Sequence, residues 1–253
     1  LPADSGHAET ISTSRAEWFC IEQNSRPNEM PSLRQLLNLH PTILLIDSAS
    51  ANVQVAVLRR DASPVWISRT GEAGEQVFAN VREILAQADL SLAAVDAFLF
   101  CDGPGSVLGI RTAAVALRTW RVLHERPVYA FCSLAVVAQG LAQNTKRRNF
   151  SVIADARRDS WHHVGVDADG AISPLQRIPT ASLTGALVMP EAFRHWTPLP
   201  AAVEIVPYSL AALLPLLVDA DLFSGAPEPD AFLHEEPVYK TWIPQVHRAP
   251  PSS

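Results

Sequence analysis

Between Phe98 and Arg111 a short apolar run enters a Gly-Pro-Gly turn that opens directly into a helical pattern, and this junction restricts the fold more than any other part of the chain. A strand that passes into a helix through so few residues belongs to a layered α/β arrangement. Gly103 and Gly105 reach backbone conformations closed to other residues and Pro104 fixes φ between them, so the loop can bring its N–H groups close to another surface. Ser106 is placed to cap the helix that follows. Free N–H groups and the helix dipole together favour an anion at such a turn. A purely structural turn satisfies the same pattern.

The elements around the junction repeat its theme. Residues 43–46 read as an apolar strand, 47–52 as a polar turn and 53–58 as a second strand, and 65–68 can supply a third. Val77, Val81, Ile84, Leu85 and Ala88 recur at helical spacing, with Glu72 and Glu75 suited to the N-terminal end. Strand 97–101, helix 106–124, strand 128–131 and a helix over 133–143 capped by Ser133 follow. Strand-turn-strand then returns at 151–154, 161–166 and 172–178, followed by strands at 186–188 and 203–206 and a helix over 209–219 bent at Pro215. Two halves that open alike predict a duplicated architecture. Residues 1–40 are polar and aperiodic and read as a loose leader; 41–145 form a first α/β lobe, 146–224 a second, and 225–253 a proline-rich segment wrapping the surface. The first methionine is Met30, which suggests a natural start near that residue.

With 48% apolar residues over 253 positions, a sizeable core can be buried. A net charge of -6 argues against a broad basic surface, so contact with nucleic acid is expected through a partner or a local patch. Cys20, Cys101 and Cys132 lack metal-type or redox-type spacing, and buried thiols in a reducing compartment are expected. No apolar stretch is long enough to span a bilayer and no secretory pattern opens the chain, so the expected location is the cytoplasm.

Several segments resemble the TsaB (YeaZ) family, the accessory subunit in bacterial threonylcarbamoyladenosine formation on tRNA. The carriers are Ile43 to Ser50, similar to the family's opening Ile-Asp-Thr-Ser; Leu90 to Asp96 leading into Gly103 to Ser106 and Gly109 to Arg111; Asp155 to Arg157, similar to its Asp-Ala-Arg; and Glu236 to Tyr239, similar to its Glu-Pro-Val-Tyr. The chain departs from the family at Val107 and Leu108, where Phe-Thr is usual, and at Glu72 to Glu75, where a His-Ser pair is common. The resemblance implies an actin-like, ribonuclease-H-like fold of two α/β lobes. It implies a non-catalytic scaffold paired with a TsaD-like catalytic subunit and a TsaE-like ATPase, with tRNA met only through the complex, no membrane, and a homodimer compatible with the isolated chain. No cofactor is then expected on this chain alone, and ATP and metal belong to the partner subunits.

The residues leave a rival open. Asp47 stands where actin-like ATPases place an acidic residue near the nucleotide's metal, so Asp47, Gly103, Pro104, Gly105 and Ser106 form a loop of nucleotide or partner contact; an Asx turn explains Asp47 equally well. A nucleotide-dependent small-molecule kinase or ATPase is the alternative function. No Walker-type loop occurs, and no two histidines stand four apart on a helix, so neither a P-loop nor a catalytic or metal site is expected. On the helix over 106–124 apolar residues occupy most of the circumference while Arg111, Arg118 and Arg121 gather on one side. Together with the family resemblance, this places a partner interface at Val81, Leu85, Arg111, Ala114 and Arg118.

Overall fold

The computed structural model describes residues 30–232. A six-stranded sheet and a five-stranded sheet follow one another along the chain. The first holds β1 (Thr42–Asp47), β2 (Asn52–Arg59), β3 (Ala62–Thr70), β4 (Ala97–Gly103), β5 (Val128–Cys132) and, at its edge, β11 (Ser224–Gly225), in the order β11-β5-β4-β1-β2-β3. The second holds β6 (Phe150–Asp155), β7 (Ser160–Val166), β8 (Gln176–Pro179), β9 (Ala186–Pro190) and β10 (Val203–Val206), in the order β10-β9-β6-β7-β8.

Without β11 the two paths are the same. In each, the opening strand pairs antiparallel with the next, which pairs antiparallel with a third. On its other side the opening strand pairs parallel with the fourth, and the fourth with the fifth. The duplication expected from the two strand-turn-strand openings is therefore present in topology, and the arrangement is the actin-like, two-lobe α/β fold.

Helices α2 (Ala73–Gln87) and α3 (Val107–Leu123) pack together and cover one side of the first sheet. Helix α4 (Ser133–Asn144) packs on β4 and β5 of the first sheet and on β6 and β7 of the second, so it joins the lobes. Coverage on both faces explains why β1 and β4 read as continuous apolar runs, whereas the edge strand β3 is largely exposed. One core cluster accordingly runs from Ile43 through Leu134 and Val137 of α4 to Val152 and Val164 of the second lobe. Among the described residues no helix is long and apolar enough to cross a membrane.

Four local expectations need correction. The loose leader does not extend to residue 40: α1 (Leu33–Leu39) begins with a capping box in which Ser32 and Gln35 exchange bonds of 3.3 and 2.7 Å, and Leu33 and Leu36 are buried. Ser133 does not cap α4; the cap position is Cys132, and the Ser133 hydroxyl donates to the Pro104 carbonyl at 2.7 Å. The expected strand over 172–178 is confined to β8, with Ile172 making one isolated bridge to Val166. The helix over 209–219 is a short α5 (Leu210–Leu213) followed by a 3₁₀ turn, Leu214–Leu217, whose start holds Pro215.

The second lobe also ends before residue 224. Val218 accepts from the Arg34 N–H of α1 and Phe223 donates to Pro31 just before it, while β11 pairs with β5 and the Phe232 N–H reaches the Asp102 carbonyl, both on the first lobe. Residues 1–29 and 233–253, including the motif at Glu236 to Tyr239, lie outside the described residues.

Candidate functional site

The loop after β4 lies on the turn between β1 and β2, and small residues on both sides set how closely they meet. The Ser106 N–H donates to the Ala49 carbonyl at 2.7 Å, and a Cβ on Gly105 would overlap that same carbonyl. One turn into α3, a Cβ on Gly109 would overlap the Ser48 carbonyl, while the Ser48 hydroxyl donates to the Gly109 carbonyl at 2.8 Å. The Ser106 side chain accepts from the Gly109 N–H at 3.3 Å, so it caps α3 as its position suggests. Gly103, with φ of 135°, admits the turn into Pro104. Two of the N–H groups at this turn are thus already engaged, that of Ser106 by the Ala49 carbonyl and that of Gly109 by the Ser106 cap. The space beside them, lined by Ser50, Glu72, Ser106 and Arg194 among others, amounts to about 70 Å³, far below the few hundred Å³ usual for a ligand site.

Asp47 ends β1 under this loop and is fully buried. Its Oδ1 accepts from the Ala49 N–H at 2.8 Å, an Asx turn of the kind the sequence allows. Burial pushes the carboxyl up to about 6, against the opposing influence of the Tyr208 hydroxyl and the Ala49 N–H. The Tyr208 hydroxyl lies close enough to bias the carboxyl, yet neither Asp47 Oδ2 nor Tyr208 Oη has a partner of good hydrogen-bond geometry. Around them burial also raises the Asp102 carboxyl to about 7, the Cys132 thiol to about 11, and the Cys101 thiol and Tyr208 phenol well above their ordinary values. The region favours uncharged forms throughout. A metal-bound triphosphate needs room, and the space beside the loop does not supply it.

The helix face divides the predicted interface residues. Val81, Leu85 and Ala114 are buried within the lobe, so they are core residues and not surface contacts; Arg111 and Arg118 are exposed. Arg111 lies 3.5 Å from Asp230, an exposed ion pair of small energetic weight. Five large apolar groups of α3 reach solvent: Val107 and Leu123 at its two ends, and Leu108 (74%), Val115 (51%) and Val122 (86%), which stand seven residues apart with Arg111 and Arg118 between them. Elsewhere on α3, Trp120 meets Phe78 of α2 edge-on at 6.2 Å between ring centroids. Residues spaced by seven return to one helix face, so the stripe was present in the sequence; what hid it was the apolar content of the remaining faces, which the structure buries against the sheet.

Comparison with known proteins follows the same lines. Residues 73–171 match the model of the TsaD family, tRNA N6-adenosine threonylcarbamoyltransferase. The chain is 32% identical over 121 residues to an uncharacterized protein of Mycobacterium tuberculosis, covering 46% of this chain and 55% of that one. It is 29% identical over 118 residues to the tRNA threonylcarbamoyladenosine biosynthesis protein TsaB of Haemophilus influenzae, covering 46% and 50%. The chain spans about half the length of the curated relatives it matches. YeaZ from Pseudomonas aeruginosa shares the fold at 21% identity, with a TM-score of 0.53 over 71% of this chain and 90% of that one. The resemblance to the TsaB (YeaZ) family read from the sequence is borne out.

Proposed function

We propose that this chain, which shares its fold with YeaZ and part of its sequence with a TsaB protein, is an accessory subunit that pairs with a TsaD-like catalytic subunit. In that role it supports threonylcarbamoyl transfer to the adenosine beside the tRNA anticodon. The observation that carries the reading is the pairing of a closed loop with an open helix. The ground under Gly103 to Ser106 is closely packed, while α3 presents Leu108, Val115 and Val122 to solvent with two arginines between them. Leaving apolar side chains in water forgoes about 25 cal/mol for each Å² that burial would remove, so a row of exposed apolar groups along one helix face favours a covering partner.

The nucleotide-dependent kinase or ATPase has nothing comparable in its favour. Its metal-facing carboxylate would be Asp47, which is fully buried, bonded to the Ala49 N–H, and set beside a space of only about 70 Å³. Catalysis, ATP and metal accordingly belong to the TsaD-like and TsaE-like subunits, in the cytoplasm where tRNA is modified. In isolation the α3 stripe also suits a second copy of the chain, and the catalytic partner would displace it.

Reconstitution tests the reading. With the TsaD-like and TsaE-like subunits from the same source, ATP, threonylcarbamoyl donor and tRNA, modification is expected to depend on this chain. Equal product without it would overturn the proposal.

A further inference from the structure

The turn joining β6 to β7 builds an exposed platform that neither the closed loop nor the α3 stripe uses. Arg157, Arg158 and Asp159 take φ values of 61°, 51° and 55° in succession. Left-handed backbone costs a non-glycine residue on the order of 1 kcal/mol, so surrounding bonds must impose it. Asp155 supplies them. Its Oδ1 accepts from the Arg157 N–H at 2.6 Å and the Thr197 hydroxyl at 3.1 Å, and its Oδ2 accepts from the N–H groups of Trp196 and of Thr197, the latter at 2.8 Å. Arg177 adds contacts from Nη2 to the Ala156 and Arg157 carbonyls, each at 3.4 Å. Partial burial pushes the Asp155 carboxyl up, but the donors on Thr197, Trp196 and Arg157 outweigh it, so the carboxyl sits below its ordinary value and stays an ionised anchor.

That anchor positions two side chains from distant parts of the sequence. The Arg157 guanidinium lies 4.2 Å from the centroid of the Trp196 ring, which is 61% exposed. Arg158 and Arg194 are exposed on the same two segments. An indole held this openly, with the Arg157 cation on it and Arg158 next in the same turn, offers a stacking face and phosphate partners together, while Arg194 lies 3.6 Å from Glu72. Acidic peptides would engage the arginines but leave the ring unused. An unpaired nucleotide engages both.

We propose that Trp196 stacks an unpaired RNA base while Arg157 and Arg158 take the adjoining phosphates, giving this chain a direct contact with the nucleic acid. The choice of RNA rests on the tRNA-modifying reading above; the platform does not.

Fluorescence anisotropy of a labelled, unstructured short RNA, titrated with the full chain alone and with its TsaD-like partner, tests it. Trp196→Ala is expected to weaken binding by about 5- to 150-fold, the range for losing one stacked base. Trp196→Phe should recover most of it, and Arg157→Ala should weaken binding and flatten its salt dependence. Thermal melts of each variant should match the wild type, since the ring is exposed. Unchanged affinity in Trp196→Ala, or no measurable RNA binding by the wild type in either state, overturns the proposal. So does a polyglutamate peptide that binds with the same Trp196 dependence while RNA does not. Intact pairing with the TsaD-like subunit alongside Trp196-independent RNA binding sinks the platform alone; failed pairing alongside Trp196-dependent RNA binding sinks the accessory reading alone.

Discussion

Replacing Asp47 by asparagine measures how closed the ground beneath the Gly103 to Ser106 loop is. The folded chain holds the Asp47 proton up to about pH 6, whereas an ordinary aspartate carboxyl releases it near 3.8. Because the folded state binds the proton more tightly, the associated stability is fully present below the unfolded value and is lost as pH rises through the folded one. A difference of roughly two pKa units corresponds to about 3 kcal/mol. Asparagine keeps an oxygen for the Ala49 N–H and does not titrate. Its amide hydrogens need acceptors near Tyr208, and an unmet one costs about 1–3 kcal/mol, but that offset does not vary with pH. Asp102 titrates in both proteins and largely cancels. Asp47→Asn should therefore gain about 3 kcal/mol on the wild type between about pH 3.5 and pH 7.5, read from urea denaturation at a series of pH values. A difference that stays constant across that range would mean that Asp47 ionises freely, as a metal and nucleotide site requires, and would refute the argument for a closed loop.

Other substitutions separate the core from the surface. Gly109→Ala should cost about 1–3 kcal/mol in denaturant unfolding, because its Cβ meets the Ser48 carbonyl across the closed loop; an unchanged midpoint would mean the two segments are not in register. Val115→Asp, on the exposed stripe, should leave the melting temperature within a degree or two while abolishing co-purification with the TsaD-like subunit, and retained pairing would remove α3 from the interface. Leu85→Asp should lower stability by several kcal/mol, since it places a carboxylate in the core; a well-folded variant would contradict the buried placement of that helix face.

The regular elements were legible because their patterns are local. Val77, Val81, Ile84 and Leu85 mark the inner face of α2 by spacing alone, and the apolar runs of β1 and β4 mark strands covered on both sides. Even the shared strand order was foreshadowed by two strand-turn-strand openings. The interface was harder to read. Periodicity shows that Leu85, Ala114 and Val115 are all apolar positions on helices, but not which of them the sheet covers, and only packing separates Ala114 from Val115. The α1 capping box at Ser32 and Gln35 was a readable signal, obscured by the polar stretch before it. The Trp196 platform lay beyond sequence reasoning because Asp155 and Trp196 stand 41 residues apart and meet only when the segment after β9 folds back.

The most direct test of the accessory reading is size-exclusion chromatography with light scattering on the chain co-expressed with the TsaD-like subunit from the same source. A single peak with the summed mass of both subunits, split by Val115→Asp, is the predicted result. Two separate peaks, with and without ATP and the TsaE-like subunit, would contradict the account.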